Sequence, residues 1–179
     1  VPNIEMDATL KNRILGEAHF IRAFAYWRFS VIYGGVPLVL EQNVIDNNFN
    51  IAKSSIEEVR SQVESDLLKA IDYLPESYSG DDIGRASQGT AYGLLAKLYL
   101  YEEDFAAAIS AGEAIINGPY ALAGNYRDNF EVASENNPEM LFAAQGLDGW
   151  ADVPKTYDAP RPWGGWDFHN PVEDIVNEY

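Results

Sequence analysis

The strongest constraint on this chain is the run from Gly16 to Val39, where an aromatic, alanine-rich helical pattern is cut off by Tyr33-Gly34-Gly35-Val36-Pro37-Leu38-Val39. Ile14, Ala18, Ile21, Ala25, Phe29 and Ile32 recur at steps of three or four, and Phe20, Phe24, Trp27 and Val31 form a second stripe about 100° around the axis. Two apolar stripes predict a helix packed on two sides. The paired glycines then permit a left-handed backbone and Pro37 forbids a return to helix, so the chain leaves in an extended Val-Pro-Leu-Val-Leu segment.

The rest of the pattern is helical and paired. The first helix is expected from about Leu10 to Ile32, and a second begins where Ser54 or Ser55 can cap it, each with a glutamate three residues on. Ile56, Val59, Val63, Leu67, Ala70 and Ile71 give that helix one apolar stripe, and Leu74-Pro75 ends it. Residues 38–53 are too long for a tight hairpin and mark a candidate functional loop, while Glu76 to Gly84 reads as an exposed polar loop. A third helix capped by Ser87 runs to about Tyr101, and the Glu102-Glu103-Asp104 turn starts a fourth that stops at Asn117-Gly118. Leu95, Ala96, Tyr99 and Ala108 fit part of the tetratricopeptide pattern, with Gly112 in place of the usual aromatic.

The expected fold is therefore mainly α: tetratricopeptide-like helix pairs, about 10–74 and 87–118, in a right-handed stack. Small residues such as Ala91, Gly93, Ala96 and Ala107 let neighbouring helices approach closely. A loop-rich segment over 119–171 follows, in which Met140 to Gln145 reads as a short strand, and Val172 to Tyr179 looks like the start of another helix. Residues 1–179 read as part of a single domain.

Several blocks resemble the SusD/RagB family in the right order. Glu17-Ala18-His19-Phe20-Ile21-Arg22-Ala23-Phe24-Ala25-Tyr26 followed by Tyr33-Gly34-Gly35-Val36-Pro37-Leu38 is similar to the family's signature helix and exit. Gly84-Arg85-Ala86-Ser87 with the Leu94-Leu95-Ala96-Lys97-Leu98-Tyr99-Leu100 helix, Asn117-Gly118-Pro119-Tyr120, Tyr126-Arg127-Asp128-Asn129-Phe130 and Asn137-Pro138-Glu139-Met140-Leu141-Phe142 resemble later landmarks. The resemblance implies a non-catalytic lipoprotein of the bacterial outer membrane, exposed at the cell surface. Such a protein binds a glycan or oligosaccharide and covers a SusC-like TonB-dependent transporter that imports it. The lipid anchor would lie upstream of Val1, because Val1-Pro2-Asn3 has neither initiator Met nor signal peptide and the chain reads as a fragment. Members of the family that take peptides keep the ligand class open.

Charge and composition narrow the alternatives. With 28 acidic and 12 basic residues the formal charge is −16, which disfavours nucleic acid and anionic membrane surfaces as partners. There is no cysteine, so neither a disulfide framework nor a thiolate nucleophile exists, and His19 and His169 are the only histidines available to zinc. No cofactor and no metal are expected. Asp148, Asp152 and Asp158 lack the spacing of a calcium loop.

Candidate binding residues concentrate in the irregular segment: Trp150, Tyr157, Trp163 and Trp166, with Asp167 and His169. Sugar rings pack their C–H faces on flat aromatic surfaces and need carboxylate, amide or guanidinium partners at the rim. The same tryptophans also suit plugs that seat loops on a helical scaffold. Arg22, on an alanine strip, requires a carboxylate from Glu17 or another helix, and Arg85 invites the same reading. Tyr26, Tyr33, Tyr92 and Tyr99 read as core residues with hydroxyls at the surface. Asp81-Asp82 and Glu102-Glu103 read as solvated charge, not as glycosidase pairs across a cleft. A helical-repeat protein binding peptides or protein partners is the alternative function, and a glycoside hydrolase ranks third.

Overall fold

The computed structural model describes residues 4–143, which form five α-helices joined by loops and 3-10 turns; no strand occurs among them. Internal contacts divide the chain between Ala143 and Ala144, and all described elements belong to the first unit. Helix α1 spans Ala8–Tyr33, α2 Glu41–Ile45, α3 Ile56–Tyr73, α4 Gln88–Tyr101 and α5 Phe105–Ile116. The pairs α1–α3 and α4–α5 pack face to face, and α3 against α4 joins one pair to the next. This is the helix-pair architecture expected from the sequence.

Local chemistry sets each boundary. Asp7 accepts from the Leu10 N–H at 2.8 Å to start α1, and Ser55 and Glu58 make a reciprocal capping box at the start of α3. Ser87 and Thr90 make a second box for α4. Asp104 caps α5 through the Ala107 N–H at 3.0 Å. Gly34, at φ 71° and ψ −125°, ends α1 in a backbone region open to glycine. Gly35 then passes so close to the Ser54 carbonyl that no side chain would fit between them.

The core joins α1, α3 and α4 through Phe20, Ala23, Val63, Leu67, Ala70, Leu94, Leu95 and Leu98. Burying each of the large aliphatic side chains contributes about 1.5–3 kcal/mol. Helix α5 meets α4 through the small residues Ala108 and Ala111. The packing face of α1 is Gly16, Phe20, Ala23 and Ser30, with Phe24, Tyr26 and Trp27 half-buried beside it. The other stripe is not packed: Ile21 is 64% exposed, Ile32 61% and Phe29 44%. The expectation of a helix buried on both sides is thus corrected among the described residues. Periodicity found two faces, but the aromatic one took α3 and α4 as neighbours because Gly16 and Ala23 let those helices come close.

Two loop expectations also change. The insertion after α1 contains the short helix α2, whose first turn is fixed by the Leu40 N–H donating to the Asn43 side chain at 2.9 Å. Of the stretch Met140 to Gln145 read as a strand, Met140 to Ala143 are irregular, with the Leu141 carbonyl accepting from Thr90 Oγ1 of α4 at 2.6 Å, and Ala144 and Gln145 lie outside the described residues. Among the described residues no helix is long and apolar enough to cross a membrane.

Candidate functional site

A buried ion pair organises the first helix pair. Asp66 lies on the apolar stripe of α3 and is wholly buried. Arg22 donates to it from Nε and Nη2, each at 2.7 Å, and His19 Nδ1 lies 2.8 Å from Oδ1. Burial alone would raise the Asp66 carboxyl. The hydrogen bonds from Arg22, His19 and Gln62, with the guanidinium charge, instead hold it below the usual carboxylate range. The Arg22 guanidinium is in turn raised above its ordinary value, foremost by its hydrogen bond to Asp66.

From this node the insertion is held in place. Arg22 Nη1 reaches Glu41 at the start of α2 at 2.8 Å, and the Tyr26 hydroxyl accepts from the Val39 N–H at 2.7 Å. The Ser54 N–H returns to the Val36 carbonyl at 3.2 Å. Arg22 and Tyr26, one turn apart on α1, therefore fix the extended exit that follows the two glycines. Arg22 finds the partner from another helix; Glu17 pairs instead with Arg85 at 3.3 Å.

Of the pair Asp81-Asp82, expected as solvated charge, Asp81 is exposed as expected, while Asp82, still partly exposed, joins a second network. The Asp82 carboxylate accepts from Arg13 at 2.9 Å and from Arg85 at 2.6 Å, tying the loop before α4 to α1. The hydrogen bond from Arg85 is the foremost reason that the Asp82 carboxyl is held low. The tyrosines divide. Tyr26 and Tyr99 keep half-buried rings and bonded hydroxyls, Tyr99 donating to Glu64 at 2.7 Å, whereas Tyr33 at the end of α1 is 64% exposed. Tyr33 is not a core residue in the described unit.

The segment after α5 clasps α4. The Tyr120 hydroxyl bonds Ser87 Oγ at 2.7 Å and donates to the Glu76 carbonyl at 3.0 Å. Its ring lies where a Cβ on Gly89 would stand. Asn137 accepts from the Glu139 N–H at 2.9 Å, Glu139 accepts from the Ala123 N–H at 2.9 Å, and Phe142 packs edge-on against Phe20 at 5.2 Å.

Between α1 and α4 runs an apolar groove of about 450 Å³, lined by Phe20, Phe24, Trp27, Lys97, Leu100 and Phe142. The Lys97 ammonium sits 5.3 Å over the Trp27 ring. This groove can take a flat hydrophobic surface. Among the described residues it is poorly furnished for a polyol, because Thr90 Oγ1 is committed to Leu141 and Lys97 is the one charged group in the lining.

The site residues expected from the sequence, Trp150, Tyr157, Trp163, Trp166, Asp167 and His169, lie outside the described residues, as do Asp148, Asp152 and Asp158. Among the described residues no cluster of three or more His, Asp or Glu side chains is placed to hold a metal. Glu102 and Glu103 do not line the apolar groove. The Glu102 carboxyl is pushed up, first by its burial and then by Glu64 and Asp104.

A stack of helix pairs with a braced insertion and a clasp across α4 defines a helical-repeat scaffold protein. Comparison with known proteins shows its family. Residues 3–100 match a SusD-like family model described as starch-binding and associating with the outer membrane. The chain is 32% identical over 131 residues to the SusD-like protein P25 of Formosa agariphila, covering 73% of this chain and 25% of that one. It superposes on a SusD superfamily protein from Bacteroides vulgatus with a TM-score of 0.82 and 33% identity over 96% of this chain and 37% of that one. A laminarin-binding SusD-like protein aligns with a TM-score of 0.70 and 31% identity over 79% of this chain and 32% of that one. The chain belongs to the SusD-like family. It spans between 24% and 37% of the length of the curated relatives it matches.

Proposed function

We propose that this chain is the helical scaffold part of a surface protein that captures a glycan or oligosaccharide without cleaving it and passes it to a TonB-dependent outer-membrane transporter. The observation that carries the reading is where the family's residues fall. Arg22, Tyr26 and Arg85 each tie a loop to a helix, Tyr120 ties its loop to the start of α4, and Gly35 and Glu139 fix one loop against another, so the scaffold holds its loops in fixed positions. Rigid helices carrying positioned loops suit recognition of a polyol, whose many hydroxyls are matched only by groups already in place. A laminarin-binding relative and a family description of starch binding support glycan over peptide as the ligand class.

The non-enzymatic reading has a physical basis in the carboxylates. Among the described residues Asp82 is held by Arg13 and Arg85 and Glu102 closes the end of α4, roles other than the pair of facing carboxyl groups that glycoside hydrolysis requires. Trp150, Trp163 and Trp166 are proposed as stacking residues, with Tyr157, Asp167 and His169 beside them. A lipid anchor upstream of this chain would hold the protein at the outer surface beside its transporter. Glycan-array binding by the intact protein tests the proposal: saturable binding to a related set of oligosaccharides is expected, and binding to peptides alone would overturn it.

A further inference from the structure

The insertion between α1 and α3 is held at both ends, yet no side-chain hydrogen bond, ion pair or ring contact joins its crest, Asn47 to Asn50, to α1, α3, α4 or α5. Arg22 fixes the start of the insertion through Glu41 at 2.8 Å, Tyr26 holds the Val39 N–H at 2.7 Å, and the Ser54 N–H closes its end on the Val36 carbonyl at 3.2 Å. Leading to the crest, the Asp46 N–H donates to the Gln42 carbonyl at 2.9 Å, the Asn47 N–H to Val44 at 3.2 Å and the Asn48 N–H to Asn43 at 2.9 Å. Asn47 takes a left-handed backbone there, at φ 48°, which asparagine adopts more readily than other residues with side chains. A loop bonded in this way presents its side chains from fixed positions.

Five of the nine residues from Gln42 to Asn50 carry a side-chain amide, so the insertion is rich in groups that both donate and accept. Three of them are engaged locally. Gln42 donates to Asp46 at 2.8 Å, Asn43 accepts from the Leu40 N–H at 2.9 Å, and Asn48 accepts from the Asn50 N–H at 3.3 Å. The side-chain amides of Asn47 and Asn50 bond nothing among the described residues, and both residues are exposed. The bond from Asn50 to Asn48 passes across Phe49 and sets it at the crest, where it is 57% exposed and meets no other ring among the described residues.

Chemistry selects the class of ligand. Between Leu38 and Ala52 there is no lysine or arginine, while Glu41 and Asp46 are engaged by Arg22 and Gln42. The crest therefore brings no cation to a phosphate or a uronate. It offers one flat apolar face flanked by accessible neutral amides. A hydroxyl donates and accepts at once, as an amide does, and the C–H face of a pyranose covers an aromatic ring. A flat apolar protein surface would cover the ring but leave the amides desolvated and unmatched.

We propose that the crest of the insertion is a contact for a neutral saccharide, in which Phe49 stacks on one sugar unit and the side-chain amides of Asn47 and Asn50 bond its hydroxyls. The inference rests on the glycan-capture reading above and gives that reading a contact within the described residues.

An array of neutral and acidic oligosaccharides selects the probe, and calorimetric titration of the intact protein with the neutral oligosaccharide that binds most strongly tests the contact in Phe49→Ala, Phe49→Trp, Asn47→Gly and Asn50→Ala variants. Phe49→Ala is expected to weaken binding about two- to tenfold, the effect of losing one ring stack, and Phe49→Trp to keep it. Asn47→Gly retains the left-handed turn while removing the amide, and it and Asn50→Ala are each expected to weaken binding about two- to tenfold. All four variants are expected to melt as the parent does, because the side chains they change bond nothing in the described fold. Full affinity in Phe49→Ala, or in both asparagine variants, overturns the contact and leaves the capture reading standing. Loss of affinity that comes with a lower melting temperature makes Phe49 a packing residue of the intact protein and also overturns the contact. A loss in Phe49→Ala that Phe49→Trp shares overturns the stacking role. Binding of acidic sugars alone overturns the contact but not the capture reading, whereas an array on which the intact protein binds no sugar overturns both.

Discussion

Arg22 on α1 closes Nε and Nη2 on the two carboxylate oxygens of Asp66 on α3, each bond 2.7 Å long, while its remaining arm holds Glu41 of the insertion. One side chain thus joins the first helix pair and positions the loop between its members. Removing the guanidinium leaves a fully buried carboxylate with the hydrogen bonds from His19 and Gln62 but without its cation. Arg22→Ala is expected to cost about 3–5 kcal/mol, measured by denaturant unfolding. The double change Arg22→Met with Asp66→Leu is expected to cost less than the single one, because it leaves no orphaned charge.

The same pair sets an acid limit. The folded carboxyl of Asp66 sits below its unfolded value of about 3.9. Its contribution is therefore complete above that pH and is lost as pH falls through the lower folded value. Unfolding free energy measured from pH 6 down to about 2 is expected to drop below about pH 4. Asp66→Asn is expected to start less stable and to show a shallower acid slope.

Gly35→Ala places a methyl group against the Ser54 carbonyl, a backbone atom that cannot step aside. The expected cost is about 2–3 kcal/mol, with amide hydrogen exchange rising at Val39 and Ser54, whose bonds close the insertion. A variant that melts like the parent would show that the insertion is not held as described.

At α4 the clasp gives a graded pair. Tyr120→Phe loses the bonds to Ser87 and Glu76 and is expected to cost about 1–2 kcal/mol. Gly89→Ala meets the Tyr120 ring and is expected to cost more, since the whole segment must lift away. Thermal melts of the two single variants and the double order these effects.

Much of this fold is legible in the sequence because its stop and start signals are local. Ser55 with Glu58, Ser87, Asp104 and Leu74-Pro75 act through bonds only a few residues long, and each boundary falls where those residues put it. The choice of buried face on α1 is not local. Phe20 and Ile21 are both apolar, and only the close fit of Gly16 to Leu74 selects the first. Asp66 was readable in principle, since it stands on the same stripe as Val63 and Ala70, and a carboxylate there demands a cation from a facing helix. Arg22 signalled the need for a partner, but its identity depended on which helices meet. Asp82 looked solvated because Arg13, 69 residues away, is brought to it only by the α1–α3 packing.

The most direct test of the central claim is calorimetric titration of the intact protein with the oligosaccharide that gives the strongest array signal, with chromatography of the mixture afterwards. The expected result is saturable binding, weakened when Trp150, Trp163 or Trp166 is replaced by alanine, with the oligosaccharide recovered at its original length. Shortened products that disappear when a single Asp or Glu is replaced would contradict it.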